Sequence, residues 1–268
     1  MSQSTFGKKF TVTTWGESHG KALGTVVDGV PAGLFLTEAD IQTYLDRRKP
    51  GQSRYTTARN EGDEVEILSG IFEGQTTGTP ISMIVRNKDQ RSRDYGNIAQ
   101  TYRPGHADFG FDSKYGFRDY RGGGRSSGRE TIGRVAAGAI AARILKELGI
   151  TLQAYTSSIG PVSCQSYHPE IIPENSFYMP DMVAAEKAAK YLEKCMKEED
   201  SAGGVVECRI SGVPAGIGDP VFGKLDAAFA QALMSIGAVK AVEIGDGVKV
   251  STMKGSENND GFHMENGR

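Results

Sequence analysis

Two of the four histidines lie in turns that are bracketed by glycine. His19 lies in residues 16–20 (GESHG), and His106 lies in residues 103–108 (RPGHAD). An imidazole beside glycine is little crowded, and it can donate or accept a proton near neutral pH. The two turns therefore predict acid–base chemistry, with a pair of ordinary surface histidines as the alternative interpretation.

The same turns contain side chains that could bind a metal ion. Four of them have ligand chemistry: Glu17, His19, His106 and Asp108. However, the chain has no His-x-x-x-His pair, and neither turn has a second histidine nearby. We therefore predict no metal site, and a metal-dependent phosphohydrolase is kept only as an alternative function.

Arginines are concentrated in the glycine-rich part of the chain. They are Arg47, Arg48, Arg54, Arg91, Arg93, Arg103, Arg118, Arg121, Arg125, Arg129 and Arg134. A guanidinium group binds phosphate or carboxylate through paired hydrogen bonds, and it stays charged at any relevant pH. Because the net charge of the whole chain is -2, any affinity for anions must come from such local clusters. We predict a pocket for a small anion.

An RNA-binding surface is the alternative interpretation of the same arginines. Aromatic residues are interleaved with them in residues 91–129, which is typical of single-strand binding. Acidic residues are also mixed into this stretch, and they would repel a long phosphate backbone. A small anion fits the mixture better, so we predict a small-molecule partner, no nucleic acid and no membrane.

A glycine-rich stretch, residues 122–130 (GGGRSSGRE), opens the strongest predicted helix. Helix N-termini bind anions because they present exposed N–H groups and the positive end of the helix dipole. From Gly123 the stretch nearly fits the P-loop pattern, but Arg129 stands in place of the lysine and Glu130 in place of the magnesium-binding hydroxyl. We therefore predict an anion-binding loop rather than a nucleotide hydrolase, with a mobile loop as the alternative.

The elements that must position these residues come in groups of strands and helices. We predict strands at residues 10–15, 23–30, 64–70, 80–86, 204–211 and 238–244. We predict helices at residues 37–47, 129–148, 180–197 and 224–236, and a mostly irregular stretch at residues 87–128. Thr37 is the predicted N-cap of the first helix, with Asp40 as its capping-box partner. The grouping predicts an α+β fold in one domain, residues 1–268.

Composition limits the class of protein. The chain is 38% hydrophobic and 24% charged, which is ordinary for a soluble globular protein. No apolar run approaches the roughly 20 residues that cross a bilayer, and the N-terminal residues lack the apolar core of a signal peptide. The three cysteines, Cys164, Cys195 and Cys208, form no metal-type pairs. Such cysteine usage fits a reducing compartment, so we predict a cytoplasmic protein.

Five segments, in this order, resemble the signatures of the chorismate synthase family. They are residues 16–31 (GESHGKALGTVVDGVP), 48–54 (RKPGQSR), 103–108 (RPGHAD), 125–131 (RSSGRET) and 235–245 (SIGAVKAVEIG). The resemblance runs along nearly the whole chain, and each long motif is specific.

The resemblance implies conversion of 5-enolpyruvylshikimate 3-phosphate to chorismate in the shikimate pathway of aromatic amino acid biosynthesis. The reaction is an anti 1,4-elimination of phosphate and a ring proton, catalysed by a carbon–oxygen lyase. It requires reduced FMN without net redox change, and NADPH is a possible reductant. The resemblance further implies central helices sandwiched between antiparallel β-sheets, and a homotetramer.

The resemblance also implies roles for individual residues. His19 would protonate the departing phosphate, and His106 would lie near the flavin and favour its reduced anion. The residues that would bind the substrate or NADP are Ser18, Arg48, Arg54, Arg103 and Arg129. The residues that would bind FMN are Arg125, Ser126, Ser127, Gly128, Gly237 and Ala238.

Two departures from the family pattern concern flavin binding and turnover. Gly237 and Ala238 stand where many relatives have asparagine and then alanine, so one possible hydrogen bond to the flavin, worth about 1 kcal/mol, is lost. The family also continues for roughly a quarter more of its length, and that part supplies a further flavin-binding segment and an arginine–aspartate pair. We therefore expect this chain to bind anions but to turn over poorly, if at all.

Overall fold

The computed structural model describes residues 3–56, 61–88 and 99–264 of the chain. The chain divides into two compact units, Met1–Pro214 and Ala215–Arg268. The single domain that we predicted for residues 1–268 stays a prediction. Arg91 and Arg93, two of the predicted anion-binding arginines, lie outside the described residues.

The first unit contains antiparallel strands and four of the described helices. Its strands are β1 (Thr5–Phe6), β2 (Thr11–Gly16), β3 (Ala22–Asp28), β4 (Val65–Ile67), β5 (Ile71–Phe72), β6 (Gln75–Thr76), β7 (Ile81–Arg86), β8 (Thr151–Ile159), β9 (Val162–Ser163) and β10 (Gly204–Ser211). Its α-helices are α1 (Glu38–Arg48), α2 (Asp108–Tyr115), α3 (Thr131–Glu147) and α4 (Met182–Lys197). Short 3-10 turns at Gly124–Ser126 and Gly128–Glu130 lead into α3.

The larger sheet has the strand order β1-β2-β3-β7-β4, and neighbouring strands are antiparallel. Alternate residues of β7 from Ile81 to Val85 are buried, so one face of the sheet is apolar. Helix α3 packs on this face with Ile140 fully buried. It approaches β2 so closely that a Cβ on Gly133 would lie 2.8 Å from Cγ2 of Thr14. This packing brings the loop before α3 to the end of β2.

Helix α1 begins and ends as predicted. The hydroxyl of Thr37 accepts a hydrogen bond from the Asp40 N–H, and the Asp40 carboxylate accepts one from the Thr37 N–H, which completes a capping box. Leu45 is fully buried in the core. Because Pro50 cannot continue a helix, α1 ends just before it and leaves Arg48 at its C-terminal end.

The smaller sheet has the order β10-β8-β9 and is also antiparallel. It faces α1 and α3 across an open cavity of about 330 Å³. Tyr44 and Val135 line the cavity from the helices, and Tyr155 and Val206 line it from the strands. The two helices therefore lie between two antiparallel sheets, which confirms the predicted α+β fold class.

Besides the two-residue strands β1, β5, β6 and β9, one long strand and one helix of the first unit were not predicted. Strand β8 pairs with β10 along its length but was absent from the predicted strands. Helix α2 lies in residues 87–128, which were predicted to be mostly irregular, and it ends at Gly116 with a φ of 71°. Residues 89–98 of that stretch are outside the described residues.

The second unit contains helix α5 (Leu225–Met234), close to the predicted helix, and a 3-10 turn at Gly247–Thr252. Across the described parts of both units, no helix is long and apolar enough to span a membrane.

The strand predicted for residues 238–244 is wrong. After α5 the chain turns, and the Val239 N–H donates to the Ile236 carbonyl at 3.3 Å. A strand needs a partner, and the β-pairing found in the described part of this unit is a single bridge between Asp219 and Gly223. The apolar residues that suggested a strand therefore have no ladder to join within the unit.

Candidate active site

His19 lies in the turn between β2 and β3, and the residue is only 7% exposed. Ser18 beside it is buried as well. The imidazole lies against Gly122, where an added Cβ would be 2.1 Å from Nδ1 of His19. Gly122 also has a φ of 62°, so both the space and the backbone conformation require glycine there. The glycine run therefore lets its loop close over the imidazole.

Arg125 attaches this loop to the end of β2. Its guanidinium donates to the carbonyl of Gly16 at 3.2 Å and to Oγ1 of Thr14 at 2.7 Å. The Thr14 hydroxyl in turn donates to Oε1 of Glu130 at 2.8 Å. These contacts fix the start of α3 beside the His19 turn.

A buried carboxylate joins two of the predicted anion-binding arginines. Oδ2 of Asp63 accepts from Nη1 of Arg48 at 2.9 Å, and Oδ1 lies 3.0 Å from Nη1 of Arg129. The Asp63 side chain is 0% exposed, against 18% for Arg48 and 6% for Arg129. We call these three residues the Asp63 cluster. Two guanidinium groups and one carboxylate leave it with a net positive charge, so it can attract an anion.

Asn87 connects the Asp63 cluster to the His19 turn. It directly follows β7, and its Oδ1 accepts from Nε and Nη2 of Arg129 at 3.2 and 2.9 Å. Its Nδ2 donates to the carbonyls of Glu17 and Gly20 at 3.1 and 2.9 Å. The sequence analysis missed both Asp63 and Asn87. The one local signal for Asn87 is that it comes immediately after a buried strand.

Arg103 forms a paired interaction with Asp108 at the start of α2. Its Nε and Nη2 lie 2.9 Å from the two carboxylate oxygens, and Arg118 approaches the same carboxylate at 3.3 Å. The hydrogen bonds from Arg103 lower the pKa of Asp108 to about 2, against the opposing effect of its burial. A Cβ on Gly123 would lie 3.4 Å from Nη2 of Arg103, so this guanidinium lies beside the glycine run.

His106 is exposed, three residues after Arg103 in the same turn. Its Nδ1 lies 3.1 Å from the carbonyl of Pro104, and its backbone N–H donates to the carbonyl of Arg103 at 3.3 Å. The glycine run thus contacts His19 through Gly122 and the turn that holds His106 through Gly123.

The model of the chorismate synthase family matches residues 10–267. The chain belongs to the chorismate synthase family. The chorismate synthase of Agathobacter rectalis is 64% identical and aligns with 100% of this chain and 73% of its own length. That of Lachnoclostridium phytofermentans is 63% identical over 99% of this chain and 73% of its own length. A crystal structure of chorismate synthase has 32% identity and a TM-score of 0.82, and covers 97% of this chain and 76% of that one.

Membership confirms the family, the fold and the function predicted from the five segments. The chain has chorismate synthase function, which is that of a lyase in the shikimate pathway. The RNA-binding and phosphohydrolase alternatives are set aside on this ground. In the described ranges there is no group of three or more histidine, cysteine, aspartate or glutamate residues that could hold a metal ion.

Arg54, part of the paired-arginine segment of the chorismate synthase pattern, contacts partners outside the Asp63 cluster. Its guanidinium pairs with Glu193 of α4 and with the hydroxyl of Tyr55, and its side chain is 68% exposed. The structure therefore places it by α4, whereas Arg48 lies in the Asp63 cluster. The role of Arg54 in substrate binding stays a prediction.

The predicted flavin-binding residues of the family pattern lie in both units. Ser126 donates to the carbonyl of Gly123 at 2.7 Å, and Ser127 caps the second 3-10 turn by accepting from the Arg129 N–H. Gly237 and Ala238 follow α5, where Ala238 has a φ of 70°. Their contribution to flavin binding stays a prediction of the resemblance.

The Arg103–Asp108 pair predicts how the free energy of unfolding depends on pH. The pKa of Asp108 is lower in the folded chain than its usual 3.8, so its stabilising contribution is complete above that value and disappears as the pH falls through about 2. Asp108→Asn should therefore lower the free energy of unfolding by about 2 kcal/mol near pH 6, and by progressively less towards pH 2. Urea unfolding of wild type and variant across this range measures the difference. A difference that does not change with pH contradicts the assignment.

Proposed function

We propose that this chain binds 5-enolpyruvylshikimate 3-phosphate between the Asp63 cluster and the glycine run, and eliminates its phosphate to form chorismate. The observation that supports this most strongly is the Asp63 cluster. It holds Arg48 and Arg129 in fixed positions with a net positive charge, and Asn87 connects it by hydrogen bonds to the turn that holds His19. The substrate carries one phosphate and two carboxylates, which are groups that guanidinium binds in paired geometry.

Arg103 contributes a further cation on the other side of the glycine run. Because Asp108 holds both its Nε and its Nη2, the guanidinium is oriented before any ligand arrives. Prepositioned cations lose little conformational entropy when they bind an anion. Ser18, buried beside His19, and Arg54 complete the proposed substrate set within this unit.

His19 is the proposed general acid that protonates the departing phosphate. Its turn is enclosed by the glycine run, so water is restricted around the imidazole. Asp119 interacts with it electrostatically. Burial raises the pKa of Asp119, but hydrogen bonds from Arg121, with the charges of Arg121 and His19, lower it more, and the net shift is downward. Asp119 is therefore an ionised neighbour that can stabilise a protonated imidazole.

The loop before α3 has the donor set that FMN requires. Arg125 supplies a guanidinium, Ser126 and Ser127 supply hydroxyls, and Gly128 has open space around the position of a Cβ among the described atoms. We propose that these four residues hold FMN, with His106 favouring the reduced anion. When bound, reduced FMN supplies electron density transiently as the carbon–oxygen bond breaks.

The remaining parts of the proposal concern the cellular setting. We propose a cytoplasmic homotetramer whose flavin is reduced either by NADPH or by a separate reductase enzyme. The cysteines Cys164, Cys195 and Cys208 are free thiols, which fits a reducing compartment.

An absorption titration of this chain with oxidised FMN tests the proposal. We expect the flavin spectrum to change on binding, and the affinity to increase when 5-enolpyruvylshikimate 3-phosphate is present, because the two ligands share one pocket. Single-stranded RNA of equal total charge is the control, and it should not compete. A flavin spectrum that changes neither with FMN alone nor with FMN and 5-enolpyruvylshikimate 3-phosphate together contradicts the proposed function. Binding of FMN that RNA removes also contradicts it.

A further inference from the structure

We propose that Asn87 is a positioning residue that fixes the imidazole of His19 relative to the guanidinium of Arg129. The inference deepens the proposed function and rests on it for the role of these two groups. Asn87 itself is not assigned to the substrate or to the flavin. Its amide instead occupies the space between the two predicted parts of the site.

The orientation of the Asn87 amide follows from its partners. Arginine can only donate hydrogen bonds, and a backbone carbonyl can only accept them. Oδ1 must therefore face Arg129, and Nδ2 must face the carbonyls of Glu17 and Gly20. A flipped amide would place donor against donor and acceptor against acceptor, so these contacts select one orientation.

The backbone of Asn87 contacts the same turn. Its N–H donates to the carbonyl of Lys21 at 3.2 Å, and the Gly20 N–H donates to the carbonyl of Glu17 at 3.1 Å. Asn87 therefore holds the turn at three backbone carbonyls, those of Glu17, Gly20 and Lys21. Because Asn87 extends directly from β7, the turn is attached to the rigid centre of the larger sheet.

Arg129 is fixed from two sides by this arrangement. Asn87 accepts from its Nε and Nη2, while Asp63 pairs with its Nη1. The planar guanidinium then has little freedom to rotate. A proton donor and an anion-binding group that act on one substrate must keep their separation, since misplacement by about 1 Å can cost 10²-fold in rate. Asn87 is the residue whose amide contacts both the guanidinium of Arg129 and the backbone of the turn that holds His19.

The matched control is Asn175, which has the same bonding pattern elsewhere in the unit. Its Nδ2 donates to the carbonyls of Ile171 and Met179, and its Oδ1 accepts from the N–H groups of Phe177 and Met179. Like Asn87, it is partly buried. Asn87→Ala and Asn175→Ala therefore remove equivalent hydrogen bonds, and any general loss of stability should be similar.

The test uses this chain labelled for NMR in its histidine rings and in the arginine Nε–H groups. Asn87→Ala should move the signals of both His19 and Arg129, whereas Asn175→Ala should move neither. Asn87→Asp keeps an acceptor for Arg129 and loses both donors to the turn, so it should move the His19 signal while the Arg129 Nε–H stays hydrogen-bonded and protected from exchange. This variant also remains informative if Asn87→Ala folds poorly.

Substrate affinity provides the second measurement, by calorimetric titration with 5-enolpyruvylshikimate 3-phosphate. We expect about tenfold weaker binding in Asn87→Ala and an unchanged affinity in Asn175→Ala. The positioning role is overturned if the NMR signals of His19 and Arg129 and the substrate affinity change equally in the two alanine variants, or change in neither. If wild type does not bind this ligand, the proposed function fails, while the NMR signals still decide whether Asn87 couples His19 to Arg129.

Discussion

Asp63→Ala is expected to lower the free energy of unfolding by about 3–5 kcal/mol, because it removes the buried partner of two charges. The Asp63 side chain is fully buried and pairs with both Arg48 and Arg129 at about 3 Å. Without the carboxylate, two guanidinium groups would remain close together, with neutral acceptors such as Asn87 and the Gly128 carbonyl still in contact. Urea unfolding followed by circular dichroism measures the loss.

Asp46→Ala provides the control for this prediction. Asp46 pairs with Lys49 at 3.1 Å, but both side chains are well exposed, at 48% and 39%. Exposed pairs contribute about 0–1 kcal/mol, so its removal should have a small effect. Asp63→Asn keeps the shape and loses the charge, and it should lie between the two. Similar losses for Asp63→Ala and Asp46→Ala would mean that the Asp63 cluster is not an electrostatic centre.

His19→Asn is expected to slow phosphate release by about 10²–10⁴-fold, which is the usual contribution of a positioned general acid. Asparagine keeps a polar side chain in the turn but cannot donate a proton to the leaving phosphate. The Asp63 cluster is unchanged by this substitution, so substrate affinity should stay near the wild-type value. The measurement is anaerobic phosphate release with reduced FMN, together with calorimetry for the affinity.

His168→Asn is the matched control for the histidine prediction. His168 is exposed, and its Nδ1 lies 3.6 Å from Glu170, outside the proposed site. Its replacement should leave phosphate release within about twofold of wild type. A His19→Asn variant that releases phosphate as fast as His168→Asn would remove His19 from the mechanism.

Much of the fold could be predicted because its signals are local. Thr37 and Asp40 mark the start of α1, and Pro50 marks its end, all within a few residues of the helix. Strand β8 lacked such a signal, since its burial pattern does not alternate cleanly and its long partner, β10, follows about 50 residues later. Helix α2 has Ala107 at its N-cap position, which makes no side-chain cap, and it contains Gly110, so no local signal predicts it.

The residues of the candidate site also divide into those with a local sequence signal and those without one. His19, Arg48, Arg103 and Arg129 were found because each lies in a distinctive segment of glycine and charge. Asp63 and Asn87 were missed because their importance comes from contacts with residues 15 to 70 positions away in the sequence. A carboxylate or amide in a polar stretch has many possible partners, and only the folded sheet selects them.

The most direct test of the central claim measures the reaction itself. The catalyst is this chain extended with the remaining residues of the Agathobacter rectalis relative, and the assay follows anaerobic phosphate release from 5-enolpyruvylshikimate 3-phosphate with reduced FMN. We predict that chorismate and phosphate form in equal amounts, and that oxidised FMN alone gives none. Bound substrate and bound FMN with no phosphate release from the extended chain would contradict the account.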